Sequence, residues 1–118
     1  MRLNDESKAM NLALSALAHP TRRAILQRVM KRERRITELA KPFALSLNAV
    51  SKHIRILERA GLVRRRRVWR EHLVSFDPAP LDRVASWIEK HRKIWNDRLD
   101  VLDQMLQDED AADNESNE

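Results

Sequence analysis

The chain has no cysteine, a single glycine and four prolines among its 118 residues. Without cysteine there can be no disulfide, no thiol redox sensor and no Cys-based zinc or iron–sulfur site. So few turn-forming residues leave little room for an all-β fold, which must reverse direction often. Aromatic residues are scarce, at 4%, so a core must come mainly from Leu, Ile and Val. No apolar run approaches the ~20 residues of a membrane span, and no signal-peptide pattern opens the chain. A soluble cytoplasmic protein with no membrane partner is expected. Nor is there a nucleophile–base pair, a carboxylate pair in a suitable context or a phosphate-cradling glycine loop, so no enzymatic activity is expected.

Charge, by contrast, is abundant and unevenly placed. The 23 Lys and Arg exceed the 18 Asp and Glu, for a net +5. Six of those acids (Asp108, Glu109, Asp110, Asp113, Glu115 and Glu118) lie after Gln107, where there is no base. The body before them therefore sets 23 bases against 12 acids, a net +11. A body that basic favours a polyanionic partner. We expect one domain over residues 1–107 and a disordered acidic tail over 108–118.

Apolar spacing gives the elements. Met10, Ala13, Leu14 and Leu17 fall on one helical face. Pro20 then suits the start of a second helix to about Lys31, with Ile25, Leu26 and Val29 inward. Residues 31–35, KRERR, read as a charged connector. Thr37 is placed to cap a short helix reaching about Ala44, and Ser46 to cap the next one. On that next helix Leu47, Val50, Ile54 and Leu57 form a stripe for the core, with Asn48, Lys52, Arg55 and Arg59 opposite. Gly61 provides the left-handed residue that ends it. Residues 62–68 and 71–77 alternate as two strands, and DPAP at 77–80 leads into a long last helix. Its stripe of Leu81, Val84, Ile88, His91, Trp95, Leu99, Leu102 and Leu106 is too long for a small core and implies a second copy of the chain.

A helix-turn-helix followed by a basic hairpin is a device for gripping duplex DNA. The second helix enters the major groove, which brings Ser46, Asn48, Ala49, Ser51, Lys52 and His53 near the bases and puts Arg55 on the same exposed face. Asn48 can pair with adenine, and Lys52 can reach guanine or a phosphate. Ser46 and Ser51 suit phosphate oxygens. His53, at the flank of the stripe, is either a packed histidine or a phosphate contact. Arg64, Arg65, Arg66, Arg67 and Arg70 form the densest cluster. They read as a wing along the DNA backbone or minor groove, or as charges that keep an edge strand from aggregating.

The stretches LAHPTRRAIL (17–26) and LSLNAVSKHIRILERAGLV (45–63) resemble the ArsR family of bacterial winged-helix repressors, and the order of elements matches from residue 10 to 106. Ser51, His53, Ile54, Leu57, Ala60, Gly61, Leu62 and Val63 carry the motif. The resemblance implies a mainly α winged helix-turn-helix with a small β-hairpin. It also implies a homodimer joined through the first and last helices, with Leu14, Leu17, Ile88, His91, Trp95, Leu99, Leu102 and Leu106 at the interface. It further implies repression at a palindromic operator, with Ser46, Asn48, Ser51, Lys52 and His53 reading DNA and Arg64 to Arg70 as the wing. A general architectural DNA-binding protein is the alternative reading.

Two departures from that family stand out. Its wing tip often carries glycine, but here the tip is Val68-Trp69-Arg70. Its metal sensors use cysteines, which are absent, or an Asp-x-His with a distant His-x-x-Glu/His. Asp82 is followed two residues on by Val84, and His91 three residues on by Ile94, so no metal and no cofactor is expected. Trp87, Ile94 and Trp95 are either dimer core or the wall of an apolar pocket for an organic effector.

Overall fold

The computed structural model describes residues 2–116, with side-chain surroundings for residues 5–114. In chain order its elements are α1 (Arg2–Leu17), α2 (Pro20–Lys31), β1 (Arg34–Arg35), α3 (Ile36–Ala40), a 3₁₀ turn (Lys41–Phe43), α4 (Leu47–Arg59), β2 (Val63–Val68), β3 (Glu71–Phe76) and α5 (Ala79–Ser116). They divide into two compact units, Met1–Val84 and Ala85–Glu118. Val84 is the last buried residue of α5, and every side chain from 85 to 114 is exposed. Among the described residues no helix is long and apolar enough to cross a membrane.

The first unit is built around α4. Its Val50, Ile54 and Leu57 are fully buried, packed with Ile25, Leu26 and Leu39 from the elements before it and with Leu62 and Val74 after it. Burial of each such side chain stabilises by about 1.5–3 kcal/mol. Leu47, expected in the same stripe, is half exposed. It is the first residue of the helix, and side chains lean back toward a helix's N-terminus, here past the end of the core. On α1 the buried positions are Ala13 and Ala16, whereas Leu14 is exposed and Leu17 packs against this unit's own core.

Ser46 caps α4, its hydroxyl oxygen accepting the Ala49 N–H at 3.2 Å. The far end closes with two bonds, Leu62 N–H to the Leu57 carbonyl (3.0 Å) and Gly61 N–H to the Glu58 carbonyl (2.9 Å). This 6→1 and 5→2 pair requires a left-handed residue, and Gly61 has φ +76°. Thr37 does not cap α3. Pairing of Arg34 and Arg35 with Val74 and Leu73 fixes Arg35 as the residue before the helix, and its N–H meets the Glu38 carboxylate at 3.5 Å. The sheet order is β1-β3-β2, all antiparallel. The charged connector therefore contains an edge strand, too short to show any alternation. Pro42 cannot sit inside an α-helix, so the chain tightens into the 3₁₀ turn after Ala40 and leaves it through Ala44 at φ +51°.

A polar clasp joins α1 and α2 to α4. Arg22 donates from Nε to the Ala16 carbonyl (2.7 Å) and from Nη2 to the Ser15 carbonyl (3.1 Å), satisfying the open end of α1. Its Nη1 faces His53 Nδ1 at 3.4 Å. A guanidinium only donates, so that nitrogen must accept, and the pairing needs a neutral imidazole. His19 caps α2 by accepting the Thr21 N–H at 3.1 Å, and its ring lies 4.7 Å from that of His53. Burial first, then the charges of His19 and Arg22, holds the His53 pKa below its ordinary 6.5.

In α5 the Asp77 carboxylate accepts the Ala79 N–H at 3.0 Å and starts the helix. The helix continues through Ser116, over residues 108–116 for which the composition predicts disorder. Ala111 and Ala112 are strong helix formers, no Gly or Pro interrupts, and Gln104 donates to Asp108 across one turn at 3.1 Å. Asn117 and Glu118, also assigned to that tail, lie outside the described residues.

Gly61→Ala should lower stability. A Cβ there would meet Pro80 Cγ at 3.3 Å, and an L-residue in the left-handed region costs about 1–2 kcal/mol; denaturant titration gives the value. The folded His53 prefers to be neutral, so the unfolded chain binds the extra proton. Stability should therefore fall as pH drops below 6.5. Glu33, Glu38 and Asp77, held below the ordinary carboxylate range by arginines or a backbone N–H, add their loss only at more acid pH. His53→Gln should flatten the dependence of the melting temperature on pH between about 7 and 5.5, and an unchanged slope would refute the assignment.

Candidate nucleic-acid interface

The burial that anchors α4 decides which of its side chains face outward. Asn48, Lys52 and Arg55 stand fully on the exposed side, with Arg59 continuing the row. None of these four side chains makes a hydrogen bond or ion pair among the described residues. They are polar, exposed and uncommitted, as base and phosphate recognition requires. Ser46 lies at the start of the row, its oxygen accepting from Ala49 and its proton still available. Ala49 and Ser51 are half-buried at its edge. His53 is turned away, toward His19 and Arg22.

The wing divides its arginines by strand alternation. Arg64 and Arg66 point to one face, and both find carboxylates. Arg66 forms a two-bond pair with Glu33, at 2.9 Å from Nε and 2.7 Å from Nη2. This fork raises the Arg66 pKa and lowers that of Glu33. Arg64 reaches Asp77 at 3.0 Å. These two residues, expected to grip DNA, thus also bind the hairpin to the end of α2 and the start of α5. On the other face Arg65 is half-buried, 3.7 Å from Glu58 of α4, and its Nε and Nη2 are enclosed without a hydrogen bond. Arg67 donates from Nε to the Trp69 carbonyl at 3.0 Å and is otherwise exposed. Arg70 is exposed, and its side chain has no partner among the described residues.

Between α4 and the wing lies an open groove of ≈ 340 Å³, whose walls include Ser51 and Leu47 on one side and Arg65, Arg70 and His72 on the other. Thr37 and Arg35 close its end. Sequence reasoning missed Arg35 and Thr37 as site residues, because it assigned one to a connector and the other to a cap. Two hydroxyls and three guanidiniums line it, a donor set chemically suited to anionic oxygen, and it adjoins the uncommitted row of α4. Glu71 lies in the same wall but is paired with Arg35 at 3.0 Å.

Among the described residues no group of three or more His, Cys, Asp or Glu could hold a metal ion. His91 stacks on Trp87, with centroids 4.0 Å apart, and its Nδ1 lies 2.8 Å from the Trp87 carbonyl within the same helix.

The geometry has counterparts in known proteins. Residues 17–66, from the end of α1 to the middle of β2, match the family model described as a helix-turn-helix domain. The HTH-type transcriptional regulator Rv2034 of Mycobacterium tuberculosis is 31% identical over 97 residues, which is 82% of this chain and 88% of that one. Among solved structures, the ArsR family transcriptional regulator RHA00566 superposes with a TM-score of 0.73 at 33% identity, over 76% of this chain and 93% of the other. An ArsR-like transcriptional regulator from Rhodococcus sp. RHA1 gives 0.74 at 27% identity, over 84% and 93%. With a helix-turn-helix whose outer row is uncommitted, a basic wing beside it and relatives of this coverage, the chain belongs to the ArsR family of winged helix-turn-helix transcriptional regulators.

Proposed function

We propose that this DNA-binding regulator is a homodimeric repressor that reads a palindromic operator. The observation that carries the dimer is the second unit. From Ala85 onward α5 exposes Trp87, Ile88, Ile94, Trp95, Leu99, Leu102 and Leu106, an apolar stripe that no described residue of its own chain buries. A helix with so large an apolar face is covered by a partner, and a second copy presents the matching stripe by symmetry. Leu14 of α1 is also exposed, whereas Leu17 is already committed inside its own unit.

Two copies related by a two-fold axis present two α4 rows, and such a pair reads half-sites about one helical turn apart, roughly 10 bp. In each half-site Asn48 reads a base, Lys52 and Arg55 reach a base or a phosphate, and the groove of Ser51, Thr37, Arg65 and Arg70 receives the backbone. Because Arg64 and Arg66 neutralise the protein's own carboxylates, the long-range attraction falls mainly to Lys52, Arg55, Arg67 and Arg70. A dimer seated over a promoter excludes polymerase, which makes the outcome repression. The apolar face of Trp87, Ile94 and Trp95 is where an organic effector would act, if the dimer leaves a pocket there.

Selection of bound sequences from a random duplex pool should return an inverted repeat, and recovery of no consensus would favour the architectural reading. Asn48→Ala should cost about 1–3 kcal/mol and relax preference at one position of each half-site. Arg70→Ala should weaken all sequences alike and lower the salt slope by about 0.9 for each phosphate that is no longer neutralised. Identical behaviour of the two variants would show that readout and grip are wrongly divided. Leu102→Glu should convert the protein to a folded monomer in sedimentation and cut operator affinity at least about tenfold; a wild-type chain that sediments as a monomer at high concentration would remove the dimer altogether.

A further inference from the structure

The wing tip carries a feature that neither folding nor base reading by α4 requires. The hairpin turns on only two residues, Trp69 and Arg70, between the paired Val68 and Glu71. Trp69 has φ +60° and is 91% exposed. A positive φ at the first turn position belongs to Gly, Asn or Asp, and a bulky side chain there is a strained outlier. A large aromatic side chain is therefore held in a costly backbone conformation and left in water. Its indole makes no hydrogen bond or ring contact among the described residues, and its carbonyl oxygen accepts from Arg67 Nε at 3.0 Å. That bond folds one guanidinium against the tip. Arg70 follows in the chain, its own guanidinium exposed and without a partner among the described residues.

We propose that Trp69 is a wedge that enters the minor groove of duplex DNA and partly unstacks a base step, with Arg67 and Arg70 holding the flanking phosphates. The inference rests on the DNA-binding role proposed for this chain and extends it to a second mode of sequence selection. Three observations fit this occupant. Trp69 stands between Arg67 and Arg70 in the chain, and Arg67 bonds its carbonyl, a cationic tip that suits a polyanionic partner. The wing and α4 face each other across one groove, Arg70 on one wall and Ser51 on the other, so hairpin and recognition helix address the same ligand. Six-residue strands extend ~20 Å, enough for the tip to reach past the major-groove contacts to the neighbouring minor groove. Apolar side chains inserted there unstack base steps and kink the duplex by about 20–90°. Because pyrimidine–purine steps such as TA and CA yield most easily, the wedge selects deformable flanks without bonding to any base edge. Lys52 and Asn48 would then read the half-site by hydrogen bonds, and Trp69 its flank by stiffness.

The test uses the full chain and its selected duplex, with 2-aminopurine scanned along both flanks and dyes at the ends to measure bending. Wild type should raise 2-aminopurine fluorescence at one flanking step on each side and bend the duplex. Trp69→Gly fits the turn better, so its melting temperature should rise by a few degrees while affinity falls about 5- to 150-fold. It should lose both the fluorescence signal and the bend but keep the half-site consensus. Trp69→Phe should retain part of the signal. If Trp69→Gly binds, bends and unstacks as wild type does, or melts lower than wild type, the wedge is refuted and the indole serves the fold or another partner. Failure of the wild type to bind duplex DNA would instead overturn the function on which the wedge rests.

Discussion

Burial of Val50, Ile54 and Leu57 along one side of α4 is the constraint from which the rest follows. These side chains are fully enclosed, and a helix rotated by even a quarter turn would expose them and bury Lys52 or Arg55, whose charge has no partner inside. The apolar side therefore dictates the polar side, and the row of Asn48, Lys52 and Arg55 is outward because the core leaves it no alternative. The Ser46 cap fixes where the helix begins, and Gly61 fixes where the chain turns back as the wing. Leu62 and Val63 then re-enter the same core at once, which holds the wing root close to the helix it assists.

The charge of this molecule is less free than its composition suggests. Glu33, Glu38, Glu58, Glu71 and Asp77 each stand within ion-pair distance of an arginine. Exposed pairs of this kind contribute little stability, but they orient the arginines they hold. Lys52, Arg55, Arg59 and Arg70, on α4 and the wing tip, are uncommitted among the described residues, as are Lys8, Lys31 and Lys41 elsewhere in the first unit. The clasp of Arg22, His19 and His53 works on the opposite flank of α4, where it ties the reading helix to the helices before it.

Much of this was legible in the residues. The stripe of α4, its serine cap, its glycine stop, the paired strands and the proline start of α2 all follow from spacing and side-chain chemistry. Other features were not, for identifiable reasons. β1 is two residues long and exists only because β3 offers it a free edge. Thr37 is a good cap by composition, but strand pairing set the helix start before it. Leu47 has the right spacing for the core and lies one turn beyond its end. Arg66 looks the same in sequence as Arg67, and only the approach of Glu33 separates them.

Sequence alone determined the local elements, the family and the two faces of α4, because periodicity, caps and turn residues act within a few positions of the chain. Tertiary structure decided which arginines are spent on the protein's own carboxylates, where His53 turns and how far Trp69 stands in solvent. Those outcomes depend on which distant residues the fold brings within a few ångströms, and no local pattern encodes that distance.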